Sequence, residues 1–174
     1  MLYLLDASVL ITANNTYYPV DRVPEYWEWL VHMSQSGHIK MPLEIFEEVK
    51  DGPKDMDKDL LFGWIQQEHR KSDLILQEEV NPIHVQQVIA LGYAPDLKDD
   101  EVEQIGRDPF LVAYALAQPT SRRIVTVEVS KPSKKRANRH LPDVCSAVGV
   151  SCCDPFALLR ALGFRTDWKK HLSV

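Results

Sequence analysis

Met1-Leu-Tyr-Leu-Leu5-Asp6-Ala-Ser8 opens the chain. Five apolar residues without alternation predict a strand buried on both faces, as in a parallel sheet. A carboxylate directly after such a strand falls at the carboxyl edge of the sheet, where open α/β folds place their chemistry. The pattern returns once, in Arg123-Ile-Val-Thr126-Val-Glu128, an apolar run ending in a hydroxyl and a second acid. Two strand-end acids predict one acidic site assembled from distant parts of the chain.

The rest of the chain supports a sheet of that kind. Pro24 opens a predicted helix over residues 24–36, stopped by Gly37; residues 39–41 read as a short strand, and Pro42 starts a helix to about residue 50. Further helices are predicted over 59–69, with Leu60, Leu61, Trp64 and Ile65 as the apolar stripe, and over 81–91. A short strand is expected at 74–76 and a polar loop or weak helix over 93–107. Residues 108–117 form a helix that is apolar nearly all round and hence buried. A strand at 124–127, a basic segment over 130–142, a strand at 150–152 and a helix over 155–162 complete the pattern, with Gly163 as the last stop. This alternation predicts an α/β protein with a central parallel sheet and helices on both faces, a three-layer α/β/α fold. Residues 1–165 read as a single domain and 166–174 as a loose tail.

Composition removes several classes of function. In 174 residues, 45% hydrophobic and 26% charged, no apolar run reaches the length of a membrane helix. No basic region precedes an apolar stretch at the N-terminus, and three cysteines make neither a disulfide framework nor a zinc pattern, so a cytoplasmic protein is expected. No glycine-rich phosphate loop is present. The six histidines are scattered without metal-ligand spacing, and Trp27 and Trp64 fit core packing better than base stacking. A net charge of −5 argues against a protein that coats nucleic acid by bulk attraction. Charge is nonetheless uneven: Lys131, Lys134, Lys135, Arg136 and Arg139 fall within nine residues, with Arg122 and Arg123 just before them. One basic segment on an acidic chain suits a local contact with a polyanion such as RNA.

Four acids are candidates for the site. Asp6 and Glu128 end strands. Asp108, with Pro109 behind it, reads as a helix N-cap that can still offer a free carboxylate oxygen. The choice among Glu44, Glu47 and Glu48 rests on the helical wheel: Glu48 lies at roughly 105° from the apolar face of Ile45, Phe46 and Val49, the other two near 150° and so solvated. Carboxylates gathered together repel, and a hard divalent cation, Mg²⁺ or Mn²⁺, is the economical counter-charge. Ser8 and Thr126, each two residues from its acid, could orient water, metal ligands or phosphate. Asp143 reads as a loop acid or a fifth ligand, and the run Asp99, Asp100, Glu101 and Glu103 as a solvated face.

At these residues the chain resembles PIN domains, the metal-dependent nucleases of bacterial toxin–antitoxin systems and of RNA processing. Leu4-Leu-Asp6-Ala-Ser8-Val-Leu-Ile11 is similar to their opening, and Met41-Pro-Leu-Glu-Ile-Phe-Glu-Glu48-Val to their second acidic motif. Asp108-Pro-Phe-Leu-Val-Ala-Tyr-Ala115 and Ile124-Val-Thr126-Val-Glu128 resemble the third and fourth. Leu141-Pro-Asp143-Val-Cys145 resembles a stretch of a PIN-like branch long labelled a domain of unknown function, in which the fourth motif ends in glutamate. The chain departs from that branch at Ala7-Ser8, where the branch more often has Ser-Asn. The resemblance implies a PIN-like fold, with Asp6, Glu48, Asp108 and Glu128 as catalytic metal ligands. It further implies hydrolysis of RNA by metal-activated water and an antitoxin partner; a homodimer is left open.

Two other functions compete. A catalytically silent PIN-like module would hold RNA or protein without cutting. A phosphatase working through Asp6 is disfavoured, because such enzymes usually carry a second acid two residues on, and here that position is Ser8.

Overall fold

The computed structural model describes residues 1–50, 60–67 and 69–172. Four short strands form one all-parallel sheet: β1 (Leu2–Leu5), β2 (Ile39–Lys40), β3 (Arg122–Val125) and β4 (Ser151–Cys153), in the order β2-β1-β3-β4. Tyr3, Leu4 and Leu5 of β1 and Ile124 and Val125 of β3 are buried, as strands covered on both faces require.

The order has a functional consequence. From β1 the chain crosses to β2 on one side, and β3 then pairs on the other side of β1. The carboxyl ends of β1 and β3 therefore flank the point where the winding reverses, the place where open α/β sheets form their crevice. Leu5 is paired in register with Val125, so Asp6 and Thr126 are the next residues off the two strands.

Helices cover both faces. After Asp6 come α1 (Ala7–Thr12), a π-helical turn (Ala13–Tyr17) and α2 (Pro24–Gln35). The last α-helix, α10 (Pro155–Ala161), is followed by a turn that packs with α2 through Phe164, whose ring meets Tyr18, Tyr26 and Trp29. Trp27 and Trp64 are both buried, with ring centroids 4.7 Å apart, in keeping with a packing role. The middle of the chain gives α3 (Leu43–Lys50), α4 (Leu60–Ile65), α5 (Arg70–Leu74) and α6 (Pro82–Gln87), which runs on into a second π-helical turn (Val88–Tyr93). Then come α7 (Asp99–Ile105), α8 (Asp108–Leu116) and α9 (Leu141–Val148). The second π turn packs on α9 and α8. Gly92 permits this approach, because a Cβ there would stand 2.6 Å from Val144 Cγ1.

Several local expectations need correction. Part of the helix predicted over 59–69 lies outside the described residues, and α4 ends at Ile65. Leu74 closes α5, and only Ile75 makes a bridge, to Met41, so no full strand forms at 74–76. Of the two alternatives for 93–107, loop or weak helix, the helix forms as α7, whose Glu101 accepts from the Lys98 backbone at 3.0 Å and so caps its own helix. The tail is not loose through Trp168: its buried indole donates to Glu25 O at 3.1 Å and lies against His32. Apolar area under an indole outweighs the polarity that made residues 166–174 look like a tail.

Candidate acidic site at the carboxyl edge of the sheet

Asp6 occupies the N-cap position of α1, yet its carboxylate makes no cap hydrogen bond. It turns instead across the sheet edge. Thr126 Oγ1 donates to Asp6 Oδ2 at 2.8 Å, and Ser8 Oγ donates to the same oxygen. Thr126 Oγ1 in turn accepts from the Glu128 backbone N–H at 3.1 Å. The two hydroxyls therefore fix the buried Asp6 carboxylate on one oxygen. Thr126 also satisfies a nearby backbone group, as hydroxyls at strand ends commonly do.

Asp108 is the first residue of α8 rather than its N-cap, which is Arg107, and Pro109 follows it inside the helix. Its side chain is consequently not used in capping. The carboxylate accepts from Tyr93 Oη at 3.4 Å, and its pKa is pushed up from 3.8 to about 7. Burial is the first cause, followed by the charges of Asp6, Glu128 and Glu48; the Tyr93 hydroxyl works weakly in the opposite direction. Tyr93 is itself held protonated by burial and by Asp108 and Glu128. The mutual effects place all four predicted acids around one locality.

Glu48 belongs to it from the rim. Partial burial of its carboxyl, then the charge of Asp6, raise its pKa, while Arg107 lowers it. The glutamate the wheel selected is one whose charge acts on Asp108, but the wheel's reason does not hold on α3. Glu48 is the most exposed of the three, whereas Glu44 and Glu47 are half-buried. Glu44 Oε2 is enclosed without a hydrogen-bond partner, and Glu47 stands 3.9 Å from Lys71 Nζ. Neighbouring helices, absent from a wheel, cover the face that the wheel assigns to solvent.

Glu128 bridges two roles. Its Oε2 accepts from the Leu141 N–H at 2.8 Å, so it caps α9 from a distant strand end, and His140 Nδ1 lies 3.6 Å from the same oxygen. Asp143 is not a loop acid and is not free to join the others. It lies in the first turn of α9, buried, and accepts from Ser130 Oγ at 2.5 Å and the Lys131 N–H at 2.7 Å. These bonds hold its pKa below the ordinary value, and they fasten the turn that follows Glu128.

The basic segment divides. Lys131, Lys134 and Lys135 are exposed. Arg136 is not available: it pairs with Glu101 at 2.7 Å and Asp96 at 2.8 Å, from a left-handed backbone at φ 54°. Arg139 donates to the backbone carbonyls of Gly92 and Asp143. Two of the five predicted RNA-contacting residues are thus structural, because guanidinium forks satisfy several acceptors at once where ammonium groups stay solvated. Arg122, at the opposite end of β3, is buried and clasps Glu78 at 2.6 Å and 2.8 Å. Glu101, predicted as part of a solvated face, is drawn out of it by Arg136.

Tyr93, Arg107 and His140 border the site, and sequence reasoning gave none of them a role in it. Tyr93 falls at the start of a stretch that reads as polar loop, and only the π turn brings it to Asp108. Arg107 could have been suspected from its place beside Asp108. His140 is one of the six scattered histidines, which carry no metal-ligand spacing to single it out.

The residues can be tested for a metal. Among the described residues, no three His, Cys, Asp or Glu side chains are gathered closely enough to hold an ion. The electrostatic coupling and that finding are compatible, since charges act over several ångströms and ligand bonds span about 2.1 Å. What fits a divalent cation is the donor chemistry: four hard carboxylates, of which Asp108 is displaced to about pH 7 by desolvation and by the charges of the other three, while Arg107 lowers the pKa of Glu48.

An α/β fold with an acidic crevice at its winding reversal is the class of protein these observations define. The chain belongs to the family described as Domain of unknown function (DUF4411), which matches residues 3–166. No curated protein and no solved structure matches it.

Proposed function

We propose that the protein is a PIN-like, Mg²⁺- or Mn²⁺-dependent endoribonuclease. The observation that carries this reading is Asp108, a half-buried carboxylate raised to about 7 by desolvation and by the charges of Asp6, Glu128 and Glu48 at the edge of the sheet. Strongly perturbed acids in a crevice are candidates for chemistry, because a fold gains nothing from unrelieved repulsion. Asp6, Glu48, Asp108 and Glu128 would hold the cation. When bound, it would supply charge for phosphate oxygens and a water acidified toward neutrality.

The chain's own residues have defined tasks. Ser8 and Thr126 both donate to Asp6 Oδ2, which leaves Oδ1 as the oxygen directed to a ligand. Tyr93 donates to Asp108 and limits its rotation. Glu128 is aimed by its bond to the start of α9. Lys131, Lys134 and Lys135 stand beyond Glu128, where they can meet phosphates of a chain crossing the site. An antitoxin partner is supported only by the resemblance to toxin nucleases. Asp6 would not serve as a phosphatase nucleophile, since the residue two positions on is Ser8.

The ungathered side chains favour a second reading, a silent RNA- or protein-binding module. One assay separates the two: cleavage of a mixed RNA pool by wild type, Asp6→Asn and Asp108→Asn, with Mn²⁺ and with chelator. Cleavage confined to wild type with Mn²⁺ is expected. Wild type that binds Mn²⁺ in calorimetry yet cuts nothing, or full cleavage in chelator, sinks the metal-nuclease reading.

A further inference from the structure

Two exposed aromatic rings lie together where the π turn after α1 meets the start of α10. Tyr17 ends the π turn that continues α1 and is 50% exposed; Phe156, in the first turn of α10, is 40% exposed. They meet edge to face with centroids 5.1 Å apart. Both line an apolar hollow together with Val9, Thr12, Val127 and Pro155. Val127 lies between Thr126, which holds Asp6, and Glu128. Val9 follows Ser8 directly. The hollow thus draws part of its lining from chain neighbours of the acids and the rest from α1, its π turn and the start of α10.

A second hollow shares Tyr18, Phe156 and Leu159 with the first and is bordered by Arg160 and Arg165. Arg165 pairs with Asp167 at 3.0 Å. Arg160 is exposed, one turn beyond Phe156, and makes no side-chain hydrogen bond or ion pair among the described residues. The sequence of surfaces is thus acids, paired rings, arginine. Rings interleaved with cations form the platform on which single-stranded nucleic acids stack. A protein partner would use the rings equally well but gives no role to the adjoining carboxylates and the unpaired Arg160.

We infer that Tyr17 and Phe156 form a stacking site for one unpaired base beside the cleaved linkage, with Arg160 on a phosphate beyond it. The substrate is then single-stranded at that position, because a base inside a duplex has both faces occupied. The inference rests on the nuclease reading and names its substrate class.

The test separates stacking from cleavage. In chelator, wild type is titrated into a short single-stranded RNA carrying 2-aminopurine, into the same strand with an abasic site in its place, and into the blunt duplex. Expected are quenching of the fluorophore and binding of the intact strand about tenfold or more tighter than of the abasic strand or the duplex. Tyr17→Ala with Phe156→Ala should remove that preference. Tyr17→Leu with Phe156→Leu, which keeps apolar bulk and so guards against misfolding, should also lose the quench. Equal affinity for intact and abasic strands, from a wild type that still cleaves RNA with Mn²⁺, overturns the stacking site and leaves the nuclease standing. Absence of both binding and cleavage removes both. A dimer in light scattering that the alanine pair dissolves, with RNA affinity unchanged, would assign the rings to a protein interface instead.

Discussion

Two groups of carboxylates in this molecule are pushed in opposite directions. Glu101 accepts two bonds from Arg136, with Asp96 on the same guanidinium, and its pKa falls to about 2. Asp108 stands among Asp6, Glu48 and Glu128 and rises to about 7. The first group carries its own counter-charge and locks α7 to the basic turn. The second keeps its repulsion and lies at the winding reversal of the sheet. Paired acids are explained by the fold; acids that keep their mutual repulsion require something from outside it, and that difference points to the site more directly than the number of acids does.

The largest effect should come from removing charge at the unpaired group. Asp6→Asn is expected to keep the circular dichroism spectrum and lower RNA cleavage with Mn²⁺ by about a hundredfold or more, the scale set by losing one well-placed electrostatic contact. A loss under tenfold would mean that Asp6 is only a well-held strand-end acid.

Stability should respond next, and with the opposite sign. A carboxyl whose pKa is higher in the folded than in the unfolded chain stabilises the protein below its unfolded value, and that contribution is lost as pH rises through about 7. A shift of about three units corresponds to ~4 kcal/mol. Asp108→Asn should therefore unfold at higher urea than wild type at pH 8 in chelator, by ~2–4 kcal/mol, with the gap closing near pH 4. Millimolar Mg²⁺ should stabilise wild type at pH 8 by mass action and leave Asp108→Asn unchanged. Identical urea midpoints for the two proteins at pH 8 would show that the four acids do not repel as described.

Thr126→Val is a smaller perturbation that tests the positioning of Asp6. It deprives Asp6 of a donor and the Glu128 N–H of an acceptor, at a cost of ~1–2 kcal/mol in a urea melt. Cleavage should fall by about tenfold, the scale at which residues behind metal ligands act. Thr126→Ser, which restores the hydroxyl, should recover most of it. Failure of serine to rescue would assign the loss to packing.

The smallest effects belong to the basic segment and divide it as the structure does. Lys134→Ala with Lys135→Ala should lower the salt slope of RNA binding by about 1.4, two phosphates at 0.7 each. Arg136→Ala should leave that slope unchanged and shift the melting temperature by only a few degrees, since Arg136 and Asp96 stay open to solvent. The reverse outcome would merge the two regions that the comparison separates.

Much of the site was legible along the chain because strands state their ends locally. Residues 2–6 and 123–128 carry apolar runs that stop at an acid, and a parallel sheet places such ends together whatever lies between them. Asp143 and Arg136 read wrongly for one reason: each looks like a charged residue in a polar stretch, and each is claimed by a partner far away or across a turn. Tyr93 was hidden by a π turn, which has no periodicity of its own to read.

The sequence by itself determined the class of fold, the order of its acids and the stretches that deliver them, because strand burial, helix starts and breakers depend on neighbours a few residues apart. Only the tertiary structure decided which of those charges are spent. Whether an acid meets an arginine, as Glu101 does, or other acids, as Asp108 does, depends on contacts between helices that no local pattern encodes. Electrostatic energy falls with distance in space, not along the chain.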